Sequence, residues 1–486
     1  MTTNEAGSPY GDMPADEFRA RGHAMVEWIA RFMENPERFP VLAQVTPGDI
    51  RNALPAAAPE TAEDFDAIVA DIDRILMPGM THWNHPGFMA YFATTASAPG
   101  VLADFMASAL NQQAMLWRTS PAATELEAVV MGWLRRLIGL PESFEGVIYD
   151  TASISSLHAL AAAREAAVPE VRRLGLAGRT GVPRLRVYCS DQAHSSIDKG
   201  VILAGFGHEA LRRLPSDADF RLRPDTLRAA IAEDRAAGFL PVAVVATVGT
   251  TSTTSVDPVA AIADVCESER VWLHIDAAYA GVAAMLPEHA HILAGAGRAD
   301  SLVVNPHKWL FTPFDLSAFF CRRMDVLRQA FSLVPEYLKT PDAARNLMDT
   351  GVQLGRRFRA LKLWMILRYF GAEGVRDRLR HHIALAQGFA ARVDAHPGFE
   401  RLAPAPFSVV CFRAKPHGRA WTEDELARLN EAIMKRVNAS GEIFISHTVL
   451  GGRFTLRVAI GNLRTTERHV TRAWELVLEA FEAERR

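Results

Sequence analysis

Val242-Ala243-Val244-Val245-Ala246-Thr247-Val248 is an apolar run broken by one threonine, and the small residues Gly249 to Thr254 follow it. Asp257-Pro258 then opens a stretch with helical spacing to Glu267. A second apolar run, Val271 to Ile275, ends on Asp276. The order reads as strand, polar turn, helix, strand. Runs without polar alternation belong to strands covered on both faces, as in the middle of a parallel sheet. Asp257 is expected to cap the helix, with Pro258 in its first position. The same grammar extends outward. Gly146–Tyr149, Leu185–Cys189, Leu302–Val304 and Ser317–Cys321 read as strands, and Ser155–Ala167 as a helix. Alternating strands and helices predict an α/β fold with a mostly parallel sheet. Ligands of such sheets lie beyond the carboxyl ends of the strands.

The flanks differ. Asp16–Glu34 carries Phe18, Met25, Trp28, Ile29 and Phe32 at helical spacing, and a proline-rich stretch runs from Pro36 to Pro59. Thr61 is expected to open a second helix. Residues 1–96 therefore read as a helical segment, either an arm on another subunit or a cap on its own chain. Residues 97–374 form the large domain. Residues 375–486 form a small α/β domain, with strands at Phe407–Phe412 and Phe454–Val458 and a last helix capped by Thr465 or Thr466.

Bulk properties exclude several classes. The 486 residues are 49% apolar and 22% charged, with a formal charge of −3. That is ordinary globular composition, without a basic footprint for nucleic acid. No uncharged apolar run reaches the roughly 20 residues of a membrane span. Met1–Asp12 lacks the pattern of a secretory leader. Cys189, Cys266, Cys321 and Cys411 form no CxxC pair, so free thiols in the cytoplasm are the simplest reading. No GxGxxG follows a predicted strand, and His82 and His85 lack a third metal ligand.

The chemistry-bearing residues follow the predicted strands. Lys308, in Asn305-Pro306-His307-Lys308-Trp309, comes just after Leu302–Val304. Burial would lower its pKa and free a nucleophilic amine suited to an imine. A snorkelling lysine is the alternative. Asp276 ends an apolar strand, where a carboxylate is costly unless it meets a cation such as a pyridinium N–H. It could also cap the next helix. His194 follows a strand and could stack on a ring or move protons. Asp150-Thr151-Ala152-Ser153-Ile154-Ser155-Ser156 precedes a helix whose free N–H groups suit a phosphate, or simple capping by Ser153 or Ser155.

These motifs, with PGMTHWNHPGFMAYF (Pro78–Phe92), SPAATELE (Ser120–Glu127), HIDAAYAG (His274–Gly281), LGRRFRALKLW (Leu354–Trp364) and SHTVLGGRFTLRVAIGN (Ser446–Asn462), resemble the group II pyridoxal-5′-phosphate (PLP) decarboxylases, in particular the aromatic-L-amino-acid branch. The resemblance covers nearly the whole chain. It implies the PLP-dependent transferase fold type I with a seven-stranded-type sheet, and a homodimer with the active site at the subunit interface, which favours the arm reading. It implies Lys308 as the imine-forming lysine, Asp276 on the pyridine nitrogen and His194 on the ring. Ala152, Ser153 and Asn305 would bind the phosphate, Thr251 and Ala278 would line the cofactor, and His307 would be a further cofactor-binding residue. Tyr337 matches a tyrosine of the family's catalytic loop that protonates the substrate α-carbon. Relatives that make aldehydes carry phenylalanine there. The chain departs from the family at Asp150, usually glycine, and Ile154, usually glutamate.

The resemblance further implies an aromatic pocket of Trp83, Phe92, Thr94, Met115, Trp117 and Gly355, the glycine leaving room for an indole. Gln113 and Arg118 are more polar than the animal enzymes at the corresponding stretch. The expected reaction converts tryptophan, 5-hydroxytryptophan, tyrosine, DOPA or phenylalanine into its amine and carbon dioxide. Decarboxylation of an acidic amino acid such as glutamate, aspartate or cysteine sulfinate is the nearest alternative. A non-catalytic PLP-binding protein is another, from a different class.

Overall fold

A computed structural model describes residues 11–333, 346–418 and 420–485. Its strands are β1 (Phe88–Met89), β2 (Glu145–Tyr149), β3 (Leu185–Ser190), β4 (Leu211–Leu214), β5 (Leu240–Thr247), β6 (Trp272–Asp276), β7 (Ser301–Val304), β8 (Ser317–Cys321), β9 (Phe399–Arg401), β10 (Val409–Ala414), β11 (Phe444–Leu450) and β12 (Arg453–Ala459). Seven of them form one sheet in the order β2-β8-β7-β6-β5-β3-β4. All its pairings are parallel except those of β8 with β2 and β7. Successive residues of β5 serve opposite cores. Val244 and Ala246 pack with Leu273, Ile275 and Leu302 on one face. Ala243 and Val245 pack with Val187, Val303 and Phe319 on the other. The absence of alternation in the sequence thus reports helices on both sides.

Thr247, Asp276 and Val303 lie side by side at the carboxyl ends of β5, β6 and β7. This is the edge that the sequence assigns to ligands. The second sheet has the order β1-β11-β12-β10-β9. Its β1 comes from the N-terminal stretch and pairs in parallel with β11 near the other end of the chain.

Two expected caps are displaced. Asp64, not Thr61, caps the helix Phe65–Asp71, accepting from the N–H groups of Asp66 and Ala67. Asp257 caps nothing: its carboxylate accepts from Leu222 N at 2.7 Å and Thr247 N at 2.7 Å, and the helix Val259–Glu269 starts after Pro258. Two buried N–H groups outside the helix compete for those oxygens, and leaving them unpaired would cost more than an uncapped helix start. Thr466 caps the last helix, Glu467–Glu484, in a capping box with His469. β1, β4, β9 and β11 escape the sequence reading: β1 and β9 are short, β4 carries two adjacent arginines, and β11 mixes buried with exposed residues and has no apolar run. The helix Ala360–Ala395 turns at Gly371, whose φ of 65° suits a residue without Cβ. No helix among the described residues is long and apolar enough to cross a membrane.

Candidate active site

Lys308 is placed by its neighbour. Trp309 is fully buried and stacks on Tyr279 at 4.8 Å, and its indole N–H donates to His382 Nδ1 at 3.0 Å. With Asn305 N–H bonded to Ala278 O at 2.9 Å, the short helix Pro306–Trp309 is pinned to the end of β6. Lys308 then turns toward the cleft. Its Nζ stands 5.3 Å from the Phe92 ring centroid. Burial lowers its pKa; the Asp276 carboxylate opposes the shift and the Arg457 guanidinium adds to it. The side chain therefore holds a more nucleophilic amine than an exposed lysine.

Asp276 is 6% exposed at the end of β6. Its Oδ1 accepts from Ala278 N at 3.1 Å, and among the described residues no hydrogen bond reaches Oδ2. One oxygen thus orders the turn, as the capping alternative required, while the other remains for a cation. His194 Nδ1 accepts from Ser196 N at 3.1 Å, so the neutral imidazole carries its proton on Nε2. Partial burial lowers the His194 pKa, against the pull of Asp276. The residue is exposed on the cleft side.

At the other end, the first turn of the helix Ala152–Ala167 meets the start of β8, where Ser155 Oγ lies 2.9 Å from Ser317 Oγ, next to the Leu316 that bonds His307. Asn305 is 2% exposed, and its buried side-chain oxygen has no hydrogen-bond partner. Thr247 Oγ1 and Thr254 Oγ1 are likewise buried without partners. His307 Nδ1 accepts from Leu316 N at 3.0 Å, leaving Nε2 as its free donor; burial pushes its pKa down to about 3. Ser153 and Thr251 are exposed and Ala152 and Ala278 are small and buried. Asp276, His194 and Arg457 lie within electrostatic reach of Lys308, and with the unpartnered Asn305 oxygen and the helix N-terminus they are the groups a phosphorylated pyridine aldehyde requires.

Asp150 accepts from Thr151 N at 2.5 Å and from Gln353 Nε2 at 2.9 Å. Ile154 packs partly buried against the core. Arg457, on β12, was quoted in a motif but given no role by sequence. It is 3% exposed, lies 4.7 Å from the Phe92 centroid and bonds Ser252 O and Tyr91 O, while its Nη2 is buried and unpartnered. A charged residue followed by the apolar run Val458-Ala459-Ile460 was the available signal. A buried relay also escaped notice: His274 joins Ser156 at 3.3 Å and Ser301 at 2.9 Å, tying the helix Ala152–Ala167 to the strand that bears Asp276.

The expected pocket divides. Phe92 is 7% exposed and stacks on Tyr279 at 3.8 Å, with Lys308 and Arg457 also near its ring. Thr94 is half-buried just beyond it. Trp83 stacks on Phe88 at 4.3 Å. Met115 and Trp117 belong to another neighbourhood. Met115 packs with Leu116 and Met348, and Trp117 donates to Glu125 at 2.7 Å. Gly355 is exposed, and a Cβ there would stand 3.1 Å from Gln113 Nε2. Tyr337 lies outside the described residues. His82 and His85 are absorbed by packing: His82 stacks on Phe39 at 4.8 Å, and His85 Nδ1 accepts from Gly87 N.

The family profile of the pyridoxal-dependent decarboxylase conserved domain matches residues 47–415. Phenylacetaldehyde synthase of Arabidopsis thaliana is 40% identical, the alignment covering 98% of each chain. Tyrosine decarboxylase 2 of the same plant is 40% identical over 96% of this chain and 87% of that protein. The crystal structure of Oryza sativa TDC with PLP and tryptamine superposes with a TM-score of 0.94 at 39% identity, covering 98% of this chain and 99% of that one. The chain belongs to the pyridoxal-dependent decarboxylases, with their fold type I architecture and PLP as cofactor.

Proposed function

We propose that this enzyme decarboxylates an aromatic L-amino acid, among tryptophan, 5-hydroxytryptophan, tyrosine, DOPA and phenylalanine, to the corresponding amine. The observation that carries the reading is Lys308, a buried low-pKa amine at the end of β7 within electrostatic reach of Asp276. The names of the relatives supply the aromatic class. PLP, when bound, supplies an aldehyde for amines and a ring that takes up the electron pair released with carbon dioxide.

The residues divide the remaining work. Lys308 would hold the aldehyde through its amine and release it to the substrate amine. Asp276 Oδ2 would keep a proton on the ring nitrogen. His194 would offer Nε2–H to the bound group. Asn305, His307, Ser153 and the N–H groups at Ala152 hold the phosphate, while Thr251 and Ala278 line the ring. Arg457 offers its unpartnered Nη2 as a cation beside the reacting carboxylate. Tyr337 delivers the proton that replaces the carboxylate on the α-carbon. Phe92, Thr94 and Trp83 form one wall of the substrate space, and Met115, Trp117 and Gly355 the other.

The two walls support a homodimer in which each copy completes its partner's site. The helix Ala15–Glu34 has no buried residue. Leu102, Phe105, Met106 and Leu110 on the helix Ala98–Leu110 are about half exposed, at 49%, 52%, 50% and 52%. Such a patch is costly on a monomer. A cytoplasmic setting accords with four buried free cysteines.

Borohydride reduction of the full-length holoenzyme followed by peptide mapping should tag Lys308. A screen with aromatic and acidic amino acids should yield an aromatic amine and carbon dioxide in equal amounts. A tag elsewhere removes the assignment of Lys308. Turnover of glutamate or cysteine sulfinate alone favours the acidic class. Ammonia and peroxide in place of the amine would assign the aldehyde-forming reaction, the activity named for the Arabidopsis synthase.

A further inference from the structure

Residues 350–356 run as a strap along the phosphate end of the site. The Tyr149 hydroxyl donates to Thr350 O, and Val352 N donates to His158 Nε2 at 3.2 Å. Gln353 Nε2 donates to Asp150 Oδ2 at 2.9 Å. Arg356 donates to Ile148 O at 2.6 Å and pairs with buried Glu127 at 2.8 Å, while Glu127 in turn accepts from Ile148 N. Gly351 is required by closeness, since a Cβ there would stand 2.7 Å from His158 Cε1. The strap carries Gly355, and through Arg356 N it holds Gln113 Oε1 at 2.6 Å.

Of these ties only the one at Asp150 puts a negative charge next to the helix N-terminus that receives the phosphate. Its other oxygen takes the Thr151 N–H, at 2.5 Å, which would otherwise be free for an anion. Both effects oppose a phosphate: like charges repel, and a donor is withdrawn. One carboxylate oxygen orders the adjoining Thr151, through its N–H and hydroxyl, and the other holds Gln353, the tie that reaches the strap.

We infer that Asp150 is a positioning residue that fixes the 350–356 strap, and with it the Gly355 side of the substrate space, at the cost of weaker cofactor affinity. The inference rests on the assignment of the phosphate to this helix N-terminus. It makes the charge and the tether separable. Asn at 150 removes the charge but keeps a partner for Gln353, because its NH2 can donate to the Gln353 carbonyl once that amide flips. Ala at 150 removes both, and Ala at 353 removes only the tether.

The test is titration of the full-length chain, stripped of cofactor, with pyridoxal phosphate, read by visible absorbance, beside the KM and kcat of the reloaded enzyme. Asp150→Asn should tighten cofactor binding about five- to tenfold with KM near the parent value. Gln353→Ala should leave cofactor affinity near the parent value and raise KM about fivefold, with kcat less affected. Asp150→Ala should show both shifts, and the Asp150→Ala/Gln353→Ala pair should raise KM no further than either alone. Thermal melts accompany each variant, and Asp150→Asn serves as the conservative rescue if Asp150→Ala fails to fold. Cofactor binding to Asp150→Asn that is no tighter than to the parent, or an unchanged KM in Gln353→Ala, overturns the inference. Parent chain that takes up no cofactor at all overturns the underlying assignment instead.

Discussion

The cofactor side and the substrate side of this cleft are built from different material. On the cofactor side, Asp276, Asn305 and His307 stand at or just after strand ends, are nearly fully buried, and are each fixed by backbone hydrogen bonds to neighbouring elements. On the substrate side, Trp83 and Trp117 are each 38% exposed, and Gly355 and Leu354 lie on the surface. The difference teaches that the groups proposed for the chemistry are held by the rigid sheet, whereas the surfaces proposed for selectivity lie open, as the proposed dimer would require.

Breaking the cofactor side should have the largest effect. Lys308→Ala should lower turnover at least about a thousandfold and abolish the visible absorbance of the holoenzyme, while the melting temperature of the cofactor-free chain changes little. An absorbance band surviving in that variant would end the distinction between the two sides.

Acid should damage the buried side next. Burial holds His85 and His274 at a pKa of about 4 and His158, His307 and His382 at about 3, against an ordinary value of 6.5. The unfolded chain gains protons on these groups as pH falls through 6.5, and the folded chain does not. Stability is therefore complete above about 6.5 and declines down to the folded values near 4 and 3. Chemical denaturation between pH 7.5 and 4.5, from roughly one unit above to roughly two units below the unfolded histidine value, should show a fall on the order of several kcal/mol. A flat profile would show that these rings titrate in the fold as they do in the unfolded chain.

The exposed side should respond through assembly. Phe105→Glu on the helix Ala98–Leu110 should weaken self-association by about ten- to a hundredfold, the worth of one buried aromatic side chain. Analytical ultracentrifugation reads this directly, and activity should fall with dilution of the variant. An unchanged sedimentation profile would place the partner elsewhere. The smallest effect belongs to Gly355→Ser, which should alter the ratio of kcat/KM for tryptophan over tyrosine a fewfold without affecting cofactor absorbance.

Much of the cofactor side was legible in the sequence because its signals are local. A carboxylate, a histidine or a lysine after an apolar run is costly unless used, and each such residue lies where its run predicts. Ile154 also reads simply as core. What escaped was non-local. The orientation of Asp150 depends on Gln353, about two hundred residues away, and Arg457 reaches the cleft from β12 of the second sheet. Asp257 looked like a cap because its two real partners, Leu222 N and Thr247 N, come from other elements.

By itself the sequence determined the alternation of strands and helices, the edge of the sheet on which the candidate residues fall, and the residue types proposed for imine, ring nitrogen and phosphate. It could do so because burial and backbone periodicity act over a few residues. Only the tertiary structure decided which oxygen of Asp276 stays free, which ring nitrogen of His194 carries the proton, and that the aromatic walls fall into two separate neighbourhoods. The first two turn on contacts only two residues apart, Asp276 with Ala278 and His194 with Ser196, whose geometry is set when the fold fixes those turns, and the third on partners brought together from distant parts of the chain.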